Sequence, residues 1–271
     1  MQNIEPATTV EEVAAITDPG EANRANHNWG DRVIVHISNL FAWFFPILMI
    51  AICSQVVLRG IGMNQAWLDD LQWWLYGAAV LVGVGYAVTT NSHVRVDIFY
   101  DHYDERKKLR TEIFAIAWLF LPFIILCWDV TAAYAVASLV ADEGSDSPNG
   151  LHNLWVLKIF MNLSFVFIAF ACWSAYVRYL TRLTTPTLFR KLLYALPSTF
   201  FIINMIVFRL VWSFTWLTAE DGATSRDISR APIFDAWEPG RYEIAYTALI
   251  SVAVTLVVLI IARALQPKTE G

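Results

Sequence analysis

The sequence predicts an all-α membrane protein, built as a polytopic bundle of about six transmembrane helices. Its composition is the first indication, because 57% of the 271 residues are hydrophobic and only 16% are charged, whereas soluble domains carry about 25% charged residues. The second indication is that the apolar residues form long blocks, each able to cross a hydrocarbon core about 30 Å thick. No segment alternates apolar and polar residues as barrel strands do, so helices must satisfy the backbone in lipid.

Six blocks are predicted to span the membrane. They cover residues 33–58, 67–90, 112–140, 151–179, 192–217 and 244–261. The second block contains Gly77, Gly83 and Gly85. Small residues at this density indicate a face on which another helix packs closely.

The basic residues predict the orientation of these helices. Most of them follow the second and fourth blocks, whereas the segment after the first block has only Arg59 and the segment after the third has none. Lys and Arg are in excess in cytoplasmic loops, so the basic loops and both termini are expected on the cytoplasmic side. The residues that carry this prediction are Arg95, Arg106, Lys107, Lys108 and Arg110 in one loop and Arg178, Arg182, Arg190 and Lys191 in the other.

The pattern of chemically active residues argues against an enzyme. A membrane haem needs histidines inside facing helices, whereas the five histidines fall in the tail, in loops or at the first turn of a span (His27, His36, His93, His102 and His152). No nucleophile motif or metal-ligand spacing is present. The basic residues flank the membrane and form no groove-sized patch for nucleic acid. We therefore expect no catalytic residue, no cofactor, no metal and no nucleic-acid partner.

Three ionisable residues lie within the predicted spans, at a similar depth in the outer half of the membrane. They are Asp129, Lys158 and Arg209, and charges inside a membrane are costly unless they are paired or reach water. One hypothesis is that Asp129 neutralises Lys158 or Arg209 across the bundle. The alternative is that both cations extend along their stems towards the interface.

Three sequence features together resemble a known family. A W-x-D-D-L motif precedes a Gly/Ala-rich span, which is followed by a short H-V-R-V-D motif. This order is similar to the small membrane subunit, of DctQ type, of tripartite ATP-independent periplasmic (TRAP) transporters. The residues concerned are Trp67, Asp69, Asp70 and Leu71, then Gly77, Ala78 and Ala79, then His93, Val94, Arg95, Val96 and Asp97.

The resemblance covers about residues 31–182 and implies a division of the chain. Residues 1–30 would form a cytoplasmic N-terminal tail and residues 31–182 a four-helix DctQ-like unit. Residues 183–271 would form a two-helix extension with a periplasmic loop at 218–241, as in a longer six-helix branch of the family. The entry to the fourth helix departs from the family, because residues 150–155 lack the usual proline.

The resemblance also implies a function. A DctQ-type subunit is a non-catalytic scaffold in the bacterial inner membrane. It would bind a large DctM-type subunit, which moves an organic acid or related solute by a sodium-driven elevator motion. A periplasmic DctP-type protein would deliver the solute, and membrane lipids would surround the helices. Two alternatives are the membrane anchor of a respiratory or redox enzyme complex and a stand-alone channel or carrier.

The residues of the resemblance are expected to be structural or to contact another subunit. Asp69 and Asp70 start the second helix, where the helix dipole favours carboxylates, either as caps or as partner contacts. His93, Arg95 and Asp97 would lock the following turn or meet lipid phosphates. The three glycines of the second span are expected to be helix-packing contacts.

Overall fold

The computed structural model describes residues 18–22, 24–93, 100–219, 222–239 and 242–266. Within these ranges, six helices are long and apolar enough to cross a membrane, which confirms the predicted all-α polytopic bundle. They are α1 (Trp29–Gly60), α2 (Ala66–Thr90), α3 (Glu105–Val140), α4 (Leu154–Leu183), α5 (Leu196–Thr218) and α6 (Tyr246–Ala264). Five of the six start within four residues of the predicted positions, and the exception is α3.

The predicted start of α3 was wrong. The helix begins at Glu105 instead of residue 112, so Arg106, Lys107, Lys108 and Arg110 lie in its first turns and not in a loop. Glu, Arg, Lys and Leu all favour helix and no Gly or Pro interrupts them, so the helix extends beyond its apolar part. Arg178 and Arg182 were also predicted to lie in a loop, but they belong to the last turns of α4.

Two of the long helices are irregular near a proline. α1 is interrupted at Trp43, between Trp29–Ala42 and Phe44–Gly60. Pro46 follows, and its missing N–H leaves the carbonyl four residues earlier without a helical bond. α3 contains a π-helical stretch at Ala115–Phe120, which ends two residues before Pro122. A π-helical turn beside a proline lets the helix continue across the membrane although the proline cannot donate a backbone hydrogen bond.

The chain divides into two compact units. The first comprises residues up to Asp104 together with Leu126–Arg178, and the second comprises Glu105–Ile125 together with the residues from Tyr179 onwards. α3 and α4 therefore contribute to both units. The predicted division into residues 31–182 and 183–271 stays a prediction.

In the first unit, α2 packs along α1. The buried residues of α2 recur every three or four positions, at Ala78, Val82, Gly85 and Thr89. They therefore form one face of the helix. The adjacent Ala79 is buried as well, and small side chains on this face let the two backbones approach closely.

In the second unit, α5 packs along α6. α6 buries Thr247, Ser251 and Thr255, whose spacing of four residues places them on one face. The chain between the two helices contains a short helix at Ser225–Ser229, a 3-10 turn at Pro232–Phe234 and an antiparallel pair of two-residue strands, Ala236–Trp237 and Ile244–Ala245. A further short helix, Leu188–Tyr194, precedes α5.

Candidate functional site

A buried cluster of polar residues lies in the first unit, where α1 begins and α2 and α4 end. It consists of Asn28, Asp31, Thr89, Ser174 and Arg178. Asn28 caps α1, because its side-chain oxygen accepts a bond of 3.0 Å from the Asp31 N–H. The Asp31 carboxylate accepts in return from the Asn28 N–H at 3.1 Å. This reciprocal capping box satisfies two backbone donors that the first turn of a helix leaves open.

An ion pair forms the centre of the buried cluster. One nitrogen of the Arg178 guanidinium donates to the Asp31 carboxylate at 2.6 Å, and the other donates to the Thr89 carbonyl at 2.8 Å. The Asp31 side chain is fully buried and that of Arg178 is 9% exposed. The Thr89 carbonyl lies in the last turn of α2, where helical carbonyls lack a partner and carry partial negative charge. Arg178 therefore links the ends of three helices.

Ser174 completes the buried cluster. Its hydroxyl oxygen lies 2.8 Å from the Asp31 carboxylate, and its carbonyl accepts from the Asn28 amide at 2.9 Å. A Cβ built on Gly30 would lie 2.6 Å from the Ser174 hydroxyl, so α1 and α4 approach closely here. Removal of one member of a buried ion pair typically costs about 3–5 kcal/mol, because the other charge stays buried.

The loop cluster lies in the segment between α3 and α4 and in the adjoining helix ends. It consists of Asp70, Tyr134, Glu143, Leu151 and Lys158. Lys158 forms an ion pair with Glu143, and its ammonium lies 4.0 Å from the centre of the Tyr134 ring. The Asp70 carboxylate accepts from the Leu151 N–H at 2.9 Å. The cluster therefore attaches this loop to α2, α3 and α4.

The environment of Glu143 changes its acidity. The bond from the Lys158 ammonium lowers the pKa of the Glu143 carboxyl below its ordinary value. An opposite charge in contact favours the ionised form of the carboxyl.

The two predicted helix-start carboxylates have different contacts. Asp70 holds the Leu151 N–H, whereas Asp69 accepts from the Arg59 guanidinium at 2.8 and 2.9 Å. Both Asp69 and Arg59 are exposed to solvent, and exposed ion pairs contribute at most about 1 kcal/mol. A contact of either carboxylate with another subunit stays a prediction.

The intramembrane charges occupy different surroundings. The carboxylate that Lys158 contacts is Glu143, a residue that the sequence analysis did not select. Asp129 is half-buried on α3, and Arg209 is exposed on α5. The pairing of Asp129 with Lys158 or Arg209 stays a prediction. Near Asp129, the Asn162 amide donates to the Trp128 carbonyl at 2.8 Å and to the Thr131 hydroxyl at 2.9 Å, which links α4 to α3 within the membrane part.

The three predicted packing glycines differ in what surrounds them. A Cβ at Gly85 would lie 2.6 Å from the Phe167 ring, so α2 and α4 touch there. A Cβ at Gly77 or Gly83 would meet nothing within 4 Å. Neither glycine is therefore needed for close packing inside the described chain. Their role as contacts to another subunit stays a prediction.

The second of the sequence motifs lies largely outside the described residues. His93 is exposed, and its Nδ1 lies 3.5 Å from the Ala87 carbonyl oxygen in the last turn of α2. Arg95 and Asp97 fall outside the described ranges, so the predicted network of the three residues stays a prediction.

Comparison with known families decides the class of protein. Residues 48–182 match the family described as tripartite ATP-independent periplasmic transporters, DctQ component. The chain belongs to the DctQ family. This match confirms the resemblance predicted from the sequence, and it covers α1 from residue 48, the whole of α2 and α3, and α4 up to residue 182. Neither the curated proteins nor the solved structures contained a match.

The DctQ assignment gives the chain a class of function. It is a multi-pass membrane protein and the small membrane component of a TRAP transporter, a family of transport components and not of enzymes. The matched segment includes the loop cluster and the Ser174 and Arg178 side of the buried cluster. In this DctQ chain, the polar residues of both clusters connect helices to each other.

Sequence reasoning missed most of these residues. Asp31, Glu143 and Asn162 were not selected, and Arg178 was taken for a loop residue. One signal was available, because Asn28 followed three residues later by Asp31 is a helix-start pattern. The partner of Asp31 is 147 positions away, and no local pattern indicates it.

Proposed function

We propose that the chain is the non-catalytic small permease subunit of a sodium-driven TRAP transporter. In this role it holds the stationary part of a large DctM-type subunit, which carries an organic acid or related solute by an elevator motion. A periplasmic DctP-type protein delivers the solute. The observation that supports a holding role is the buried cluster, in which one arginine joins the ends of α1, α2 and α4.

A scaffold must resist the motion of its partner, and the bonded helix ends of the first unit support such a role. Hydrogen bonds between buried polar groups make helix ends rigid, and the Asp31, Ser174 and Arg178 side chains are bonded in this way. Within a membrane, the helices keep apolar side chains on their outer surface, where lipid or another subunit contacts them. Gly77 and Gly83 leave open surface on α2, and we propose that a helix of the large subunit approaches there.

The proposed topology places both termini in the cytoplasm of a bacterium, with the protein in the inner membrane. The basic first turns of α3 and the basic end of α4 support it, because Lys and Arg concentrate on that side. Reporter fusions after residue 145 and after residue 230 test the orientation. Activity of a periplasmic reporter at both positions is expected, and cytoplasmic activity at either would contradict the proposal.

Co-purification tests the scaffold role. The full chain is expressed with the large membrane protein encoded by the neighbouring reading frames, and a tag on this chain should recover a stable one-to-one complex. Proteoliposomes with both subunits and the binding protein should accumulate solute only under an inward sodium gradient. Uptake by this chain alone would refute the scaffold role, and uptake by the complex without sodium would refute the coupling.

Substitution of the open glycines tests the proposed contact with the large subunit. Gly77→Leu and Gly83→Leu should reduce recovery of the complex while the isolated chain keeps its thermal stability. Val80→Leu is the matched control, since Val80 is an exposed residue on the same helix that already carries a branched side chain. Unchanged recovery with both glycine variants would exclude these positions from the interface.

The second unit is proposed to provide a contact for the periplasmic protein. Trp237 and Tyr242 in the segment after α5 are 52% and 76% exposed, and exposed aromatic residues are frequent anchors of protein interfaces. Trp237→Ala and Tyr242→Ala should weaken binding of the DctP-type protein to the complex, whereas Trp43→Ala on α1 should not. Equal affinity for all three variants would reject this contact.

A further inference from the structure

A small cavity in the first unit is lined by nitrogen-bearing side chains. Its volume is about 130 Å³ and its lining residues are Gly20, Arg24, His27, Arg32, Val35, His36 and Asn39. We propose that this cavity binds the phosphate group of an anionic phospholipid at the membrane boundary. The proposal does not rest on the transport role of the chain.

Two elements bring the cationic side chains together. Arg32, His36 and Asn39 lie on one face of α1, because their spacing of four and three residues matches the turn of the helix. Arg24 and His27 come from the 3-10 turn that precedes α1, which is closed by a bond from the His27 N–H to the Arg24 carbonyl at 3.3 Å. The fold therefore places two guanidinium groups and two imidazoles around one space.

The charges at the cavity favour an anion. Its described lining residues include no Asp or Glu. Of the described carboxylates nearby, Asp31 binds Arg178, and Asp18 accepts from the Gly20 N–H, the Tyr86 hydroxyl and, at 3.5 Å, the amide of the lining residue Asn39. His27 is only 5% exposed, so one wall of the cavity is a buried part of the fold. Arg24, Arg32 and His36 are exposed, which leaves the cavity open to a ligand from outside.

A phosphate group suits these donors in size and geometry. Guanidinium groups bind phosphate oxygens by paired, charge-assisted hydrogen bonds, and these are the strong ones. A single water needs about 10–15 Å³ of such space, so a cavity of about 130 Å³ admits a phosphate with part of its hydration.

The position of the cavity favours a lipid over a free ion. Trp29, the first residue of α1, is 75% exposed and packs edge-on against Phe170 at 6.3 Å between ring centres. An exposed tryptophan at a helix end is typical of the headgroup level of a bilayer. α1 has 32 residues, and at about 1.5 Å per residue it is longer than a hydrocarbon core of about 30 Å. Its first turns therefore reach the layer in which lipid phosphates lie.

The test compares lipids on the purified full-length chain by native mass spectrometry. Dioleoylphosphatidylglycerol should stay bound to the wild-type chain at low detergent, whereas dioleoylglycerol, which lacks the phosphate, should dissociate. Arg24→Gln combined with Arg32→Gln should lower retention of the phospholipid by roughly tenfold, because two charge-assisted contacts are lost. Arg24→Lys combined with Arg32→Lys keeps the charge and should retain most of the binding.

The matched control removes two charges elsewhere at a helix start. Arg106→Gln combined with Lys107→Gln should leave retention unchanged, since neither residue lines the cavity. Equal retention of the two lipids by the wild-type chain would overturn the proposal without any variant. Equal losses in the cavity variant and in the control would overturn it as well. If millimolar inorganic phosphate stabilises the wild-type chain and not the Arg24→Gln/Arg32→Gln variant, while phosphatidylglycerol shows no preference, the lipid source is overturned.

Discussion

The buried ion pair of the first unit and the hydroxyl and indole contacts of the second unit join helices by different chemistry. In the first unit, the contacts between helix ends are ionic, with Arg178 on Asp31 and Lys158 on Glu143. In the second unit, neutral groups supply several of the contacts between helices. The Ser198 hydroxyl donates to the Ala117 carbonyl at 2.5 Å, and the Trp118 indole donates to the Tyr194 carbonyl at 2.8 Å.

Neutral contacts also join α5 to α6. The Ser251 hydroxyl lies 3.0 Å from the Asn204 side-chain oxygen and 2.6 Å from the Thr247 carbonyl. Side-chain hydrogen bonds between membrane helices contribute about 0.6 kcal/mol on average, whereas the loss of one buried charge partner costs several times more. The comparison indicates that loss of a buried charge partner in the first unit should cost far more than loss of one of these neutral bonds in the second.

The largest effect is expected from the buried ion pair. Arg178→Met should lower the free energy of unfolding by about 3–5 kcal/mol, because Asp31 stays buried without its partner. Thermal unfolding followed by size-exclusion chromatography measures the loss. Arg182→Met is the control, since Arg182 is one turn further along α4 and exposed. Asp31→Asn in the Arg178→Met background should recover part of the stability. Equal melting temperatures of Arg178→Met and Arg182→Met would contradict the role of the ion pair.

The next effect concerns the close contact between α2 and α4. Gly85→Ala should destabilise by about 1–3 kcal/mol, because the new Cβ would overlap the Phe167 ring. Gly77→Ala should be neutral or stabilising by up to about 1 kcal/mol, since alanine favours helix and the site is open. The same melting assay separates the two variants. Phe167→Leu should relieve the Gly85→Ala defect, and failure of this rescue would show that the ring is not the obstacle.

A smaller effect is expected in the second unit. Ser251→Ala removes the bond to Asn204 and should cost only about 0.6 kcal/mol. Ser213→Ala on the exposed face of α5 is the matched control. If Ser251→Ala were as damaging as Arg178→Met, the contrast between the buried ion pair and the neutral bond would be wrong.

The smallest effect is a pH dependence that comes from the loop cluster. The pKa of Glu143 is lowered by the Lys158 ammonium, so its contribution to stability is complete above the ordinary glutamate value and is lost as the pH falls through the lowered value. Lys158→Met should remove this part of the acid sensitivity. Melting temperatures measured between neutral and acidic pH test the effect, with Glu105→Gln, an exposed site on α3, as the control. If the melting temperature of Lys158→Met fell at acidic pH as much as that of the wild-type chain, the role of the Lys158–Glu143 ion pair would be contradicted.

Prediction from the sequence was accurate where a property is carried by neighbouring residues. The number of spans and the family followed from runs of apolar side chains and from short motifs. The start of α3 was missed because charge was taken to end a helix, although Glu, Arg and Lys favour one. The sequence identified the glycines of α2 as small residues but could not distinguish their roles. Only the glycine that faces Phe167 is needed for close packing, and the sequence does not show which one that is.

The sequence by itself determined that the chain crosses the membrane in helices and belongs among TRAP transporter components, since hydropathy and local motifs are sums over adjacent residues. Only the tertiary structure decided which charges meet. Asp31 and Arg178 become partners because the start of α1 and the end of α4 lie side by side, and Lys158 meets Glu143 because the loop after α3 folds over the start of α4. Such pairings depend on how each helix is rotated and placed against its neighbours, which no stretch of adjacent residues encodes.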